Sequence, residues 1–169
     1  TIAPSDKNIL WVGTGEGDPR NSVGYGWGVY KSIDGGISWK HLGLKNTERI
    51  KRIVVDPKDP NVACVCALGK EWGPNKERGV FKTIDGGKTW EKILYIDENT
   101  GCADIAMETN NPRIMYAGMW TFRRKPWRFD DGGKNTALYR TMDGGQTWKK
   151  IMNGLPNKDM ARPGVHIAQ

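Results

Sequence analysis

The chain has 169 residues, enough for one domain with a sizeable core. Its formal charge of +7 attracts anions in general, but its 26 Lys and Arg are scattered among 19 Asp and Glu, which argues against a dedicated nucleic-acid-binding tail. No apolar run is long enough to span a membrane, and 22 glycines and 9 prolines without a long helical period favour short strands joined by turns.

In chain order, residues 1–3 read as the tail of a strand. The turn Pro4–Asn8 follows, then a strand over Ile9–Gly13 and a glycine-bearing loop over Thr14–Trp27. Gly13-Thr-Gly-Glu-Gly17 is glycine-rich, but no Gly-Lys-Ser/Thr follows, so it is not a phosphate-binding loop. Next comes Val29-Tyr-Lys-Ser-Ile-Asp-Gly-Gly-Ile-Ser-Trp39. Its first half alternates apolar and polar residues as a strand does, and Asp-Gly-Gly then breaks it. A short strand over Ser38–His41 closes the unit. The order then repeats. Strands are expected at Ile50–Val55, Val62–Ala67, Val80–Thr83 and Thr89–Ile93, with a loop over Leu68–Arg78. A third round reads Asp104–Met107, Ile114–Trp120, a loop over Thr121–Thr136, Leu138–Thr141 and Thr147–Ile151. Val165–Gln169 reads as the inner strand of a fourth unit.

The eleven-residue stretch therefore occurs three times, around Asp34, Asp85 and Asp143, with a period of roughly fifty residues. Each aspartate can accept from backbone amides across the turn, and the glycines supply positive φ. Ser38, Thr89 and Thr147 offer a hydroxyl, and Trp39, Trp90 and Trp148 an apolar surface to bury between sheets. The pattern resembles the Asp-box, or BNR repeat, Ser/Thr-x-Asp-x-Gly-x-Thr-Trp, with Ser38 where Thr is usual. The signature positions are Asp34, Gly36, Ser38 and Trp39; Asp85, Gly87, Thr89 and Trp90; and Asp143, Gly145, Thr147 and Trp148. Trp72-Gly-Pro-Asn75, Glu77-Arg-Gly-Val-Phe-Lys-Thr83 and Trp120-Thr-Phe-Arg-Arg-Lys-Pro-Trp-Arg-Phe129 make the chain most similar to bacterial sortilin-like, VPS10-type BNR-repeat proteins.

The resemblance implies an all-β fold: a β-propeller segment of about three four-stranded antiparallel blades, with an Asp-box in each C–D turn. The expected units are residues 1–45, 46–98 and 99–155, with a further blade starting at 156–169. Three blades do not close a ring, so the expected partners include the remaining blades of a larger propeller or further copies of the chain. The resemblance also implies an extracytoplasmic setting. Thr1 reads as the start of a processed or partial segment, so its neighbourhood says little about a leader.

Strand antiparallelism puts A–B and C–D turns on one rim and B–C loops and D–A connectors on the other. The Asp-boxes are then structural, and binding residues belong on the loop rim. Arg123, Arg124, Trp127 and Arg128 are the first candidates for ligand contact, with Arg20, Trp72 and Arg78 second. Arg and Trp together suit a protein, peptide or glycan ligand. The run Arg123–Arg128 interleaves basic and aromatic residues as single-strand binders do, but it is one short run, so nucleic acid is not the expected partner. The alternative function is part of a sialidase- or xyloglucanase-like glycoside hydrolase. That needs paired carboxylates from among Glu16, Asp18, Glu71, Glu77, Asp130 and Asp131, whose sequence spacing pairs none of them. No catalytic residue, cofactor or metal ligand set is assigned. Cys64 and Cys66 share a strand face, and Cys102 lies elsewhere. Three buried thiols, a Cys64–Cys102 bridge or a Cys66–Cys102 bridge all fit the spacing.

Overall fold

Alternating apolar residues, each run ended by a glycine turn, fold into three successive four-strand antiparallel meanders. The computed structural model describes residues 1–156 and 160–168. The first sheet is β1 (Ile2–Ala3), β2 (Asp6–Gly13), β3 (Val29–Ser32) and β4 (Lys40–His41), paired in chain order. The second is β5 (Ile50–Val55), β6 (Ala63–Ala67), β7 (Gly79–Thr83) and β8 (Glu91–Leu94), paired likewise. The third sheet contains β9 (Thr100–Met107), β10 (Met115–Lys125), β11 (Arg128–Asp131), β12 (Ala137–Thr141) and β13 (Lys149–Lys150). Here β9, β10, β12 and β13 make the meander, and β11 pairs with the far end of β10.

The middle sheet is covered on both faces, and its sequence shows it. All five residues of β6 are buried. Ala63, Val65 and Ala67 face a core shared with Trp11, Val29 and Ile53, while Cys64 and Cys66 face one shared with Ile105, Met115 and Met119. A strand buried on both faces reads as a continuous apolar run rather than an alternation, which is the pattern of Ala-Cys-Val-Cys-Ala. Cys66 is disulfide-bonded to Cys102 of β9, tying the second sheet to the third, and Cys64 is a buried free thiol. Burial pushes that thiol up to about 12, so it stays protonated and inert.

The three Asp-Gly-Gly turns carry one hydrogen-bond network written three times. Ser38 Oγ donates to Asp34 Oδ2, and Ser38 N–H to Oδ1 at 2.9 Å. Thr89 makes the same pair to Asp85 at 2.7 and 3.0 Å, and Thr147 does so to Asp143. On the other side, the hydroxyls of Ser32, Thr83 and Thr141 each donate to the aspartate and accept from the second glycine's N–H. That glycine has φ near +90° in all three turns. A Cβ on Gly87 would lie 2.5 Å from Leu42 of the first sheet's exit, and one on Gly145 would lie 2.6 Å from Ile93 of the second's. The turn needs glycine both for its backbone angle and for sheet-to-sheet contact.

Several details differ from the sequence expectation: β2 begins at Asp6, inside the expected Pro4–Asn8 turn, and β9 begins at Thr100, four residues before Asp104. The fourth strands begin at Lys40, Glu91 and Lys149, two residues late, because the hydroxyl residue and the tryptophan are held by the turn. Trp90 docks on the preceding sheet, its Nε1 donating to Leu42 O at 2.7 Å and its ring edge-on to Trp11, and Trp148 packs against the second sheet's core. Trp39 has no preceding sheet among the described residues and is 43% exposed, so it does not bury the surface expected of it. Finally, Val165–Ala168 forms no strand, and Gln169 lies outside the described residues. The segment still packs on the third sheet: Val165 N–H donates to Asp104 Oδ2 at 3.0 Å, and a Cβ on Gly118 would meet Pro163 O at 2.9 Å. Without an adjacent strand it has no ladder to join, and side-chain oxygen takes the amide instead.

The turn network carries a pH prediction. Hydrogen bonds from Ser38 hold the Asp34 carboxyl down at about 2, and those from Thr89 and Thr147 hold Asp85 and Asp143 well below the usual carboxylate range. A carboxyl depressed on folding stabilises fully above its unfolded value and loses that contribution as pH falls toward the folded one. Melting temperature should therefore drop between roughly pH 4 and pH 2. Asp85→Asn should flatten part of that slope and lower the melting temperature at pH 7 by about 5 °C. A variant with the wild-type profile would mean that the turn is not a lock.

Candidate functional site

Hydrogen bonds place the two rims. The Gly35, Gly86 and Gly144 N–H groups donate to Asn8 O, Asn61 O and Arg113 O, joining each Asp-Gly-Gly turn to the end of its own sheet where the first two strands meet, at the start of β2 in the first sheet and in the turn itself in the other two. On the other rim, the second-to-third-strand loops bond to the connectors between sheets. Gly26 N–H donates to Glu48 O, Asn75 N–H to Glu98 O and Phe122 N–H to Asn99 O. The glycine turns and the long loops thus occupy opposite rims.

The third loop is not a loop along most of its length. β10 continues through Lys125, and β11 returns from Arg128 after the two-residue turn Pro126-Trp127. The alternation explains it: Trp120 and Phe122 fall on one strand face and stack at 4.5 Å, with Phe129 against both. The hairpin presents Trp127 at its tip, 81% exposed, beside Arg128, which pairs with Asp130.

The candidate contacts separate by burial. Trp127, Arg128, Trp72 and Arg20 are exposed, Arg20 being paired with Glu16. Arg123 and Arg124 are half-buried. Arg123 Nη2 donates to Asn99 Oδ1, and Arg124 sits over the Phe129 ring and 3.5 Å from Glu71. Arg78, expected on the contact surface, is fully buried. Its guanidinium donates to Leu68 O, Lys70 O and Gly73 O and covers the Phe122 ring. Burial lowers it to about 10. Arg78 curls the second loop from inside, because a loop this tight leaves carbonyls that only an internal donor reaches.

Beneath the rim runs a buried charge network. Arg49, at the start of β5, donates to Gly69 O at 3.2 Å and to Glu71 at 3.4 Å and lies over Tyr25. Glu71 also faces Arg124 of the third sheet, so one carboxylate ties the connector before β5 and the second loop to the third sheet's hairpin. Burial raises the Glu71 carboxyl against the pull of both arginines. The other five candidate carboxylates are held too. Glu16 pairs with Arg20, Asp18 with Lys51 and Arg162, Glu77 with Lys92, Asp130 with Lys125 and Arg128, and Asp131 accepts from Trp120 Nε1.

Tyr25 and Trp27, at 65% and 57% exposed, share this rim and lie outside the contact set expected from the sequence. They flank a cleft of about 470 Å³ between the first and second sheets, together with Lys45, Asn46, Glu48, Lys70 and Lys76. Lys45, Asn46 and Glu48 of that lining come from the connector between sheets. The signal was topological: connectors and loops share a rim, so both should supply contacts.

Three successive antiparallel meanders with rims so divided define a section of propeller type. The family model for sortilin, neurotensin receptor 3 (Sortilin-Vps10) matches residues 28–163, and the chain belongs to that family. Among solved structures, an ancestral GH74 enzyme superposes with TM-score 0.67 at 20% identity, over 95% of this chain and 18% of its own. The GH74 enzyme of Niastella koreensis gives 0.61 at 20% identity, over 94% and 21%. The GH74 xyloglucanase from Xanthomonas campestris gives 0.59 at 19% identity, over 92% and 23%. These likenesses establish the propeller fold. The chain spans about a fifth of the length of those structures. No curated protein sequence matches it.

Proposed function

We propose that the chain is part of a propeller scaffold that binds a glycan along its loop rim. The observation that carries this reading is that Tyr25, Trp27, Trp72 and Trp127 all stand exposed on that rim. Flat aromatic faces held by a rigid sheet array suit the apolar faces of sugar rings, and neighbouring arginines and lysines suit their oxygens. Arg128 and Arg20 are the arginines available for contact; Arg123 and Arg124 support the hairpin.

A setting outside the reducing cytoplasm belongs to the same proposal. The Cys66–Cys102 bridge supports it, since such bridges persist in oxidising compartments. No helix among the described residues is long and apolar enough to cross a membrane. Further sheets beside the first, covering Trp39, are part of the proposal as well.

The test is retention on immobilised polysaccharides. Combining Trp27→Ala with Trp127→Ala should weaken retention about 10-fold or more with little change in melting temperature, since both side chains project from the rim. Asp85→Asn, on the opposite rim, should do the reverse. Full retention by the double variant would overturn the reading.

A further inference from the structure

We propose that the cleft between the first and second sheets is a subsite for an acidic sugar, a hexuronate unit of an anionic polysaccharide. This rests on the glycan reading above and adds the charge class and the place.

The cleft joins an aromatic wall to a surplus of cations. Tyr25 and Trp27 form the wall. Lys45 Nζ lies 4.4 Å from the Trp27 ring centroid, so the indole and an ammonium are presented together. Lys70 and Lys76 stand on the facing loop. The one carboxylate in the lining, Glu48, is shared between Arg49 and Lys70, each at 3.6 Å. Lys45 and Lys76 have no acidic partner among the described residues, and they are exposed beside an aromatic surface. A ligand carrying one carboxylate beside an apolar ring face would match both features.

The floor is rigid. Gly26 N–H donates to Glu48 O at 2.7 Å, and Asn75 Nδ2 donates to Asn46 O at 3.1 Å, tying the loops that make the two walls. Little ordering is then left for binding. The same bonds argue against a phosphate or nucleotide. Phosphate sites use convergent backbone N–H groups. Here Gly26, Trp27 and Asn75 all donate their N–H groups inside the protein, to Glu48 O, Thr14 Oγ1 and Glu98 O. Those three N–H groups are not free for an anion, so recognition of charge falls to side chains, the lysine ammonium groups first among them.

The experiment titrates the full chain with oligogalacturonate, alginate and hyaluronan oligosaccharides, their methyl esters, neutral xyloglucan oligosaccharide and a ten-residue oligothymidylate, by calorimetry at low and moderate salt. At least one acid should bind about 10-fold tighter than its ester. Lys45→Gln/Lys70→Gln/Lys76→Gln should erase that difference while sparing the ester, and Trp27→Ala should weaken both. Equal binding of every acid and its ester overturns the acidic subsite and leaves the glycan reading standing. A preference that survives the triple lysine variant places charge recognition elsewhere and also overturns it. Lysine-dependent binding of the oligothymidylate without any acid preference overturns it in favour of nucleic acid. Failure of every saccharide removes both readings.

Discussion

Replacing Arg49 with methionine is expected to cost about 3–5 kcal/mol of folding stability, read from urea unfolding. Arg49 and Glu71 are both almost wholly buried, and their ion pair is 3.4 Å long. Removing the guanidinium leaves a carboxylate inside the protein with Arg124 as its remaining cation. An uncompensated buried charge is far more damaging than a lost surface pair. The Arg49→Met/Glu71→Leu double variant should recover much of the loss, because both charges leave together. Arg124 faces Glu71 through a buried Nε, so part of the loss should remain in the double variant. The single variant should also recover partly as pH falls, since protonating Glu71 removes the stranded charge. A single variant within about 0.5 kcal/mol of wild type would show that packing alone holds the loop rim.

The second large effect is expected at the bridge between sheets. Cys66 and Cys102 are 36 residues apart in sequence. Closing a loop of that length removes unfolded-state entropy worth about 4 kcal/mol in the chain-entropy model. Changing both to alanine should lower the melting temperature by about 10 °C. In denaturant, thiol titration should find one reactive group per chain before reduction, Cys64, and three after it. Three before reduction would mean that the second and third sheets are held by packing alone. Cys64→Ala should change the count by one and leave the bridge intact.

These two devices were the least legible parts of the chain. Nothing in the local sequence of Arg49, Glu71 or Arg124 announces that they meet, because they come from three separate stretches. The cysteines allowed more than one arrangement, and only the packing of β6 against β9 selected Cys66. Arg78 reads from its loop as a candidate for ligand contact, yet it is the buried donor about which that loop curls. Residues 121–136 read locally as one long loop. The alternation of Trp120, Phe122 and Phe129 was the better guide, and it builds a hairpin.

The amino-acid sequence alone determined the repeat, the four-strand meander within each sheet and the division of turns and loops between opposite rims. All three follow from short-range chemistry: period-two burial, glycines at positive φ, and an aspartate bonding residues four positions on. Tertiary structure alone decided which rim residues face solvent, which arginines turn inward, and that Tyr25 and Trp27 share a cleft with three lysines. Those outcomes depend on how one sheet stacks on the next, and stacking brings together residues whose separation along the chain carries no trace of their meeting.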